Sequence, residues 1–102
     1  LVSGAVGRWD GQAAVFAPHL DGPCYRCLVP GAPPDAETCA QTGIVGALTG
    51  VIGSVMALEA IKLITGAGAP LLGRVLIYDG LAAASRVVRL PRDPECPACR
   101  HA

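Results

Sequence analysis

Charge is scarce in this sequence: 16% of its 102 residues are charged, and Lys62 is the sole lysine. Eight acidic residues balance eight basic ones, so no net field exists to gather nucleic acid or to hold the chain on an anionic membrane. Neither class of partner is expected. The motifs of nucleotide chemistry are missing as well. No Gly-x-Gly-x-x-Gly run follows a strand and opens a helix, no phosphate loop ends in Gly-Lys-Ser/Thr, and Gly66-x-Gly68 comes after a helical stretch instead. Ser3, Ser54 and Ser85 stand in no triad context, and His19 and His101 form no metal or nucleophile pair. Self-contained catalysis is therefore not expected. The opening Leu1-Val-Ser-Gly-Ala-Val-Gly-Arg8 lacks the charged start and long apolar run of a secretion signal and does not begin with methionine. It reads as a piece of a longer protein.

What is present is apolar. Hydrophobic residues make up 52% of the chain, which excludes disorder by composition. A single domain of this length buries roughly two-thirds of its unfolded surface. Residues 11–17, bounded by Asp10-Gly11 and Pro18, suit a strand. Val29 to Cys39 is rich in proline and small residues and reads as a long loop. From Gly43 to Thr65 the period turns helical. Ile44, Leu48, Val51, Ile52, Val55, Leu58 and Ile61 form one apolar stripe, and Thr42 is a candidate cap. Gly46, Gly50, Gly53, Ala57 and Ala60 mark a second face. Since glycine costs up to ~1 kcal/mol per helical position, close packing is expected there. Gly66-Ala67-Gly68-Ala69-Pro70 stops the helix. Residues 74–79 and 85–90, rich in branched side chains and joined through Asp79-Gly80, predict an antiparallel pair. The order implies α/β or α+β architecture.

Residues 40–58 are free of charge for long enough to admit a membrane span. Gln41, Thr42, Thr49 and Ser54 within the run, Glu59 and Lys62 in its last turns and the lack of a positive flank favour a buried helix over a sheet instead.

The chemistry resides in the cysteines. Pro23-Cys24-Tyr25-Arg26-Cys27 and Glu95-Cys96-Pro97-Ala98-Cys99 are two knuckles of identical spacing. Each can bring two thiolates to a metal at ~2.3 Å, and together Cys24, Cys27, Cys96 and Cys99 complete a tetrahedron around one zinc ion. The knuckles lie far apart in sequence, so the tertiary fold must assemble them, and the metal acts as a clasp. Four cysteines close the site to water, which favours a structural over a catalytic zinc. Arg26 and Arg100, each beside a ligand, can offset the formal charge of the centre. A redox Cys-x-x-Cys is the other reading, disfavoured because neither pair clearly opens a helix. His101 near Cys99 is a possible competing ligand and more simply a tail residue. Cys39 has no partner spacing. It precedes the long helix, with Asp35 and Glu37 nearby to disfavour a thiolate, and reads as a free cysteine or a nucleophile.

Taken together, Leu1-Val-Ser-Gly-Ala5, Gly11-Gln12, Pro23 to Cys27, Cys39 with Gly43, Thr49-Gly-Val-Ile-Gly-Ser54, Leu58-Glu-Ala-Ile-Lys62, Tyr78-Asp79 and Cys96-Pro-Ala-Cys99 resemble the C-terminal part of the MoeB/ThiF/HesA family. These are bacterial adenylyltransferases related to ubiquitin-activating enzymes. The resemblance implies an α/β fold class, the C-terminal part of a Rossmann-like ThiF-type fold, with a long buried helix, a few strands and a four-cysteine zinc clasp. It implies that residues 1–102 are the zinc-bearing part of an adenylyltransferase domain whose N-terminal nucleotide-binding half is absent. The complete protein would use ATP and Mg²⁺ to adenylate the C-terminal glycine of a ubiquitin-like sulfur carrier protein, as a cytoplasmic homodimer. The family's glycine-rich loop and its phosphate and metal contacts would lie upstream, so this stretch alone would be inactive. Cys39 matches the position of the family's conditional cysteine, which forms a persulfide or thioester in some members, and is the candidate catalytic residue. Exposed apolar surface and self-association are expected where the rest of the sheet is missing. The alternative is a free-standing zinc-stapled module for protein binding or dimerisation.

Overall fold

The computed structural model describes residues 1–17, 22–28, 43–91 and 94–96. Among them the chain runs β1 (Val2–Val6), β2 (Asp10–Val15), α1 (Tyr25–Leu28), α2 (Gly46–Thr65), β3 (Arg74–Asp79) and β4 (Ala84–Arg89). The four strands form one sheet in the order β1-β2-β3-β4, antiparallel throughout. β1 and β2 are a hairpin, as are β3 and β4. In the second hairpin Asp79 Oδ1 accepts from the backbone N–H groups of Leu81 (3.0 Å) and Ala82 (3.3 Å), the local bonding that makes aspartate a turn former. The Gly80 N–H donates to Trp9 O at 2.6 Å and ties the two turns together.

The expected strands at 11–17, 74–79 and 85–90 are present, the last two as the antiparallel pair. β1 was not expected, because Val2-Ser3-Gly4-Ala5-Val6 is short and weakened by a central glycine.

That glycine has a use. With side chains alternating across a strand, the register places Gly4 opposite Ala13, and Val6 opposite Gly11, so one sheet face carries small residues where β1 and β2 meet. α2 lies on this face, over β1 and β2. A methyl group at Gly4 would lie 2.9 Å from Ile52 Cγ2 and closer still to Met56 Sδ. The helix thus approaches the sheet most closely over its two glycines, Gly4 and Gly11.

The same contacts correct the helical stripe read from sequence. Only Leu48, Ile52 and Glu59 of α2 are buried, whereas Val51, Leu58 and Ile61 are exposed, Leu58 at 57% and Ile61 at 55%. The helix is therefore buried along one face and open along the rest. Nor is the Gly46, Gly50 and Gly53 face packed: nothing among the described residues lies within 4 Å of a methyl group built at any of them. Close approach occurs at the sheet's glycines instead. By length and composition α2 could cross a membrane, and in the fold it covers a sheet.

α2 begins at Gly46, later than the expected Gly43, with Val45 as N-cap and no side-chain capping bond; Thr42 lies outside the described residues. Arg8 O accepts from the Val45 N–H at 3.2 Å and holds the helix start against the first hairpin. The expected glycine stop is present: Gly66 adopts φ 72° and its N–H donates to Lys62 O at 2.8 Å.

The opposite sheet face carries the second half of the core, where Ala14, Phe16 and Val75 are buried with Leu28, Ile77 and Leu90 packed on them.

Candidate metal centre

Three of the four predicted zinc ligands come together. β2 leads through Gly22 and Pro23 into Cys24, and α1 follows at once as a single helical turn. Within that turn the Cys27 N–H donates to Cys24 O at 3.0 Å, which folds the two side chains toward each other. Their sulfurs are 3.8 Å apart. The turn is fixed to the sheet by Tyr25, whose ring meets Phe16 edge-on with centroids 5.6 Å apart, and by Leu28, which enters the core.

Cys96 arrives from the other end of the chain. β4 ends with the Leu90 N–H donating to Gly73 O at 2.8 Å, and the chain returns to the knuckle so that Cys96 Sγ lies 3.6 Å from Cys24 Sγ. All three sulfurs lie within 4.8 Å of one another. Cys24 and Cys27 are half-buried, and Cys96 is 1% exposed.

These distances suit a metal. Thiolates at ~2.3 Å from a tetrahedral zinc ion stand ~3.8 Å from each other, close to the two observed separations and far longer than the ~2.05 Å of a disulfide. Three converging sulfurs suit a thiophilic metal. Chemically the cluster can bind a metal and join distant parts of the chain. Cys99, Cys39, Arg100, His19 and His101 lie outside the described residues, as does the side chain of Arg26. Cys24 directly precedes a helical turn, but one of four residues, too short for a helix dipole to favour a redox role.

The sequence reading missed a second polar cluster at the far end of α2. Glu59 is 3% exposed, yet its carboxylate is fully used. Oε1 accepts from the Leu71 N–H at 2.6 Å and Oε2 pairs with Lys62 Nζ at 2.5 Å. Lys62 also donates to Ala69 O at 2.9 Å, and Arg74 donates to Pro70 O at 2.9 Å. Together they fasten the helix to the segment leading into β3. An acid with a base three residues on, inside an otherwise apolar helix, was the available signal.

Comparison with known proteins agrees with this frame. A family model described as the ThiF family matches residues 1–98. A sulfur carrier protein adenylyltransferase from Thermus thermophilus is 49% identical over 105 residues, covering 97% of this chain and 39% of that protein. The adenylyltransferase and sulfurtransferase MOCS3-1 from Zea mays is 49% identical over 102 residues, covering 97% of this chain and 22% of that one. The chain thus spans less than two-fifths of the length of these relatives. Among solved structures, Escherichia coli MccB, crystallised with MccA-N7isoASN, superposes with a TM-score of 0.75 over 96% of this chain and 32% of its own, at 14% identity. That likeness concerns the fold alone.

Proposed function

Because the chain belongs to the ThiF family, we propose that residues 1–102 are the zinc-bearing C-terminal part of an adenylyltransferase domain that activates a ubiquitin-like sulfur carrier protein. The observation that carries this reading is the 49% identity to a sulfur carrier protein adenylyltransferase over 97% of the chain, a span that includes both cysteine knuckles. ATP and Mg²⁺ are bound by residues outside 1–102, in keeping with the lack of a phosphate-binding motif here. There the carrier's terminal carboxylate attacks the α-phosphorus of ATP, the bond to the β-phosphate breaks, and pyrophosphate leaves. The acyl adenylate is then open to a sulfur nucleophile.

In this division of labour the present region supplies architecture. Cys24, Cys27, Cys96 and Cys99 hold one structural Zn²⁺, a reading supported by the 3.6 and 3.8 Å sulfur separations. The thiolates fix the segment after β4 to the turn after β2, and the ion supplies the coordination bonds that keep them there. Cys39 is the nucleophile toward the acyl adenylate: its thiolate displaces AMP to form a thioester, or, once it carries a persulfide sulfur from a separate sulfane-sulfur donor, that outer sulfur attacks and AMP leaves. The protein works in the cytoplasm as a homodimer, for which the open apolar side of α2 offers surface.

The test is ATP–pyrophosphate exchange by the intact protein with a ubiquitin-like sulfur carrier. Exchange that needs the carrier's terminal glycine is expected. Exchange with free amino acids and none with any such carrier would overturn the proposal.

A further inference from the structure

Both segments that carry the described cysteines pass Leu71, Leu72 and Gly73, the residues immediately before β3, on their way to the metal cluster. The Leu71 N–H donates to Glu59 Oε1 at 2.6 Å, and Leu71 O accepts from the Val15 N–H at 3.1 Å, at the end of β2. Leu72 pairs with Val15 in a single parallel bridge. Its side chain closes the space over Gly22, where a methyl group would stand 2.5 Å from Leu72 Cδ1. Gly73, at φ 73°, accepts the Leu90 N–H on its carbonyl at 2.8 Å, just past the end of β4.

These contacts lead to the ligands. Gly22 and Pro23 are buried and run directly into Cys24, and a methyl group at Gly73 would lie 4.0 Å from Pro23 Cδ. Leu90 heads the segment that brings Cys96 Sγ within 3.6 Å of Cys24 Sγ. The same three residues therefore brace both approaches to the cluster. They are braced in turn from α2. Lys62, paired with Glu59, donates to Ala69 O at 2.9 Å, and Arg74 donates to Pro70 O at 2.9 Å. Glu59, at 3% exposed, is the buried member of this group, so its carboxylate fixes Leu71 away from competing water.

We infer that Glu59 is a positioning residue for the metal centre: through Leu71, Leu72 and Gly73 it holds the segments that carry Cys24 and Cys96 at the separation the ion needs. The inference rests on the reading that the cysteines hold zinc. Glu59 is not itself a ligand, since its two oxygens are taken by Leu71 and Lys62. Ligands set in place by what lies behind them bind a metal more tightly and release it more slowly. The path is a continuous run of hydrogen bonds and packed side chains, of the kind that carries coupling between sites. Glu95 and Cys96 make further interactions of their own, so loss of Glu59 loosens the site without dissolving it.

The experiment uses the intact protein loaded with Zn²⁺ or with Co²⁺. Zinc release to a chromogenic chelator gives a rate, and the visible ligand-field bands of Co²⁺ report the thiolate geometry around the metal. Glu59→Ala is expected to release zinc at least about threefold faster and to alter the Co²⁺ bands at temperatures where the protein is folded. Glu59→Gln keeps an acceptor for the Leu71 N–H and should restore most of the wild-type rate. Leu72→Ala removes the contact over Gly22, leaves the carboxylate in place, and should also speed release. Gly11→Ala, which loosens α2 from β2 away from this path, should release zinc at the wild-type rate. A wild-type rate and spectrum in either Glu59→Ala or Leu72→Ala would overturn the inference. So would release from Gly11→Ala as fast as theirs, which would reduce Glu59 to general stability, or a Glu59→Gln rate equal to that of Glu59→Ala, which would take Leu71 out of the path. Should Glu59→Ala not fold, Glu59→Asp, which keeps the charge but draws the acceptor back from Leu71, is judged by the same outcomes. A wild-type protein that takes up neither zinc nor cobalt would overturn the zinc reading itself, which separates that failure from failure of the positioning role.

Discussion

Ile52 of α2 rests on the backbone of Gly11 in β2: a methyl group at Gly11 would stand 2.5 Å from Ile52 Cγ1 and 2.8 Å from Cδ1. Ile52 is itself 2% exposed, so neither partner has room to yield. Gly11→Ala should therefore destabilise by about 1–3 kcal/mol through overpacking. Adding Ile52→Val should recover part of that loss, because it removes the Cδ1 methyl. Chemical denaturation of the four proteins in this cycle measures the coupling. Strict additivity would mean that the helix does not sit where it is described.

Glu59 offers a second test. Glu59→Ala leaves the buried Leu71 N–H without its acceptor and the Lys62 ammonium with Ala69 O alone, and a loss of about 1–3 kcal/mol is expected. Glu59→Gln keeps an acceptor for Leu71 and gives up only the ion pair, so its effect should be smaller. Equal losses in thermal unfolding would show that charge, not the backbone hydrogen bond, is the larger contribution.

Metal removal should act on the whole unit. Stripping the intact protein with a strong chelator is expected to lower the melting temperature of this region by about 10 °C or more, since structural zinc contributes more free energy than most domains have to spare. Cys96→Ser should reproduce much of that shift without chelator. Hydrogen exchange of β4 and of residues 94–96 reports it locally, and unchanged protection there would sink the clasp.

The open side of α2 predicts self-association. Ile64 is 83% exposed, beside Leu58 at 57% and Ile61 at 55%, an apolar strip of the kind that marks interaction sites. Leu58→Glu with Ile61→Glu should shift sedimentation of the intact protein toward the monomer while changing monomer stability by within about 0.5 kcal/mol. Wild-type protein that sediments as a monomer at tens of micromolar, as estimated from ordinary dimer affinities, would remove the basis for it.

Cys39→Ala in the intact protein should spare adenylate formation and abolish sulfur transfer. Sulfur transfer at the wild-type rate would take Cys39 out of the mechanism.

Much of this was legible in the residues. Strand β2, the helix with its Gly66 stop and the β3–β4 hairpin follow from period and punctuation. The cysteine pairs announced a shared site because identical spacing is hard to explain otherwise. What the sequence could not give is direction. In α2 apolar and small residues lie all the way round, so the stripe read through Val51, Leu58 and Ile61 did not mark the buried side. The buried side is chosen by the glycine floor of β1 and β2, a tertiary fact. Glu59 escaped notice for the same reason: an acid can be buried only where Leu71 and Lys62 converge on it, and that meeting is made by the fold.

The pairing of β2 with β3, which sets Ala14 opposite Val75, also bears on how the chain reaches its native state. Each hairpin closes between neighbours in sequence, whereas joining the two hairpins requires the whole α2 excursion to be gathered first. Such distant pairings are slow, because the entropy of closing the loop is lost before any contact rewards it. Cys24 follows the first hairpin and Cys96 the second, so an ion captured by both would act on that same rate-limiting encounter. Zinc supplied during refolding should then accelerate assembly, and zinc added only afterwards should not.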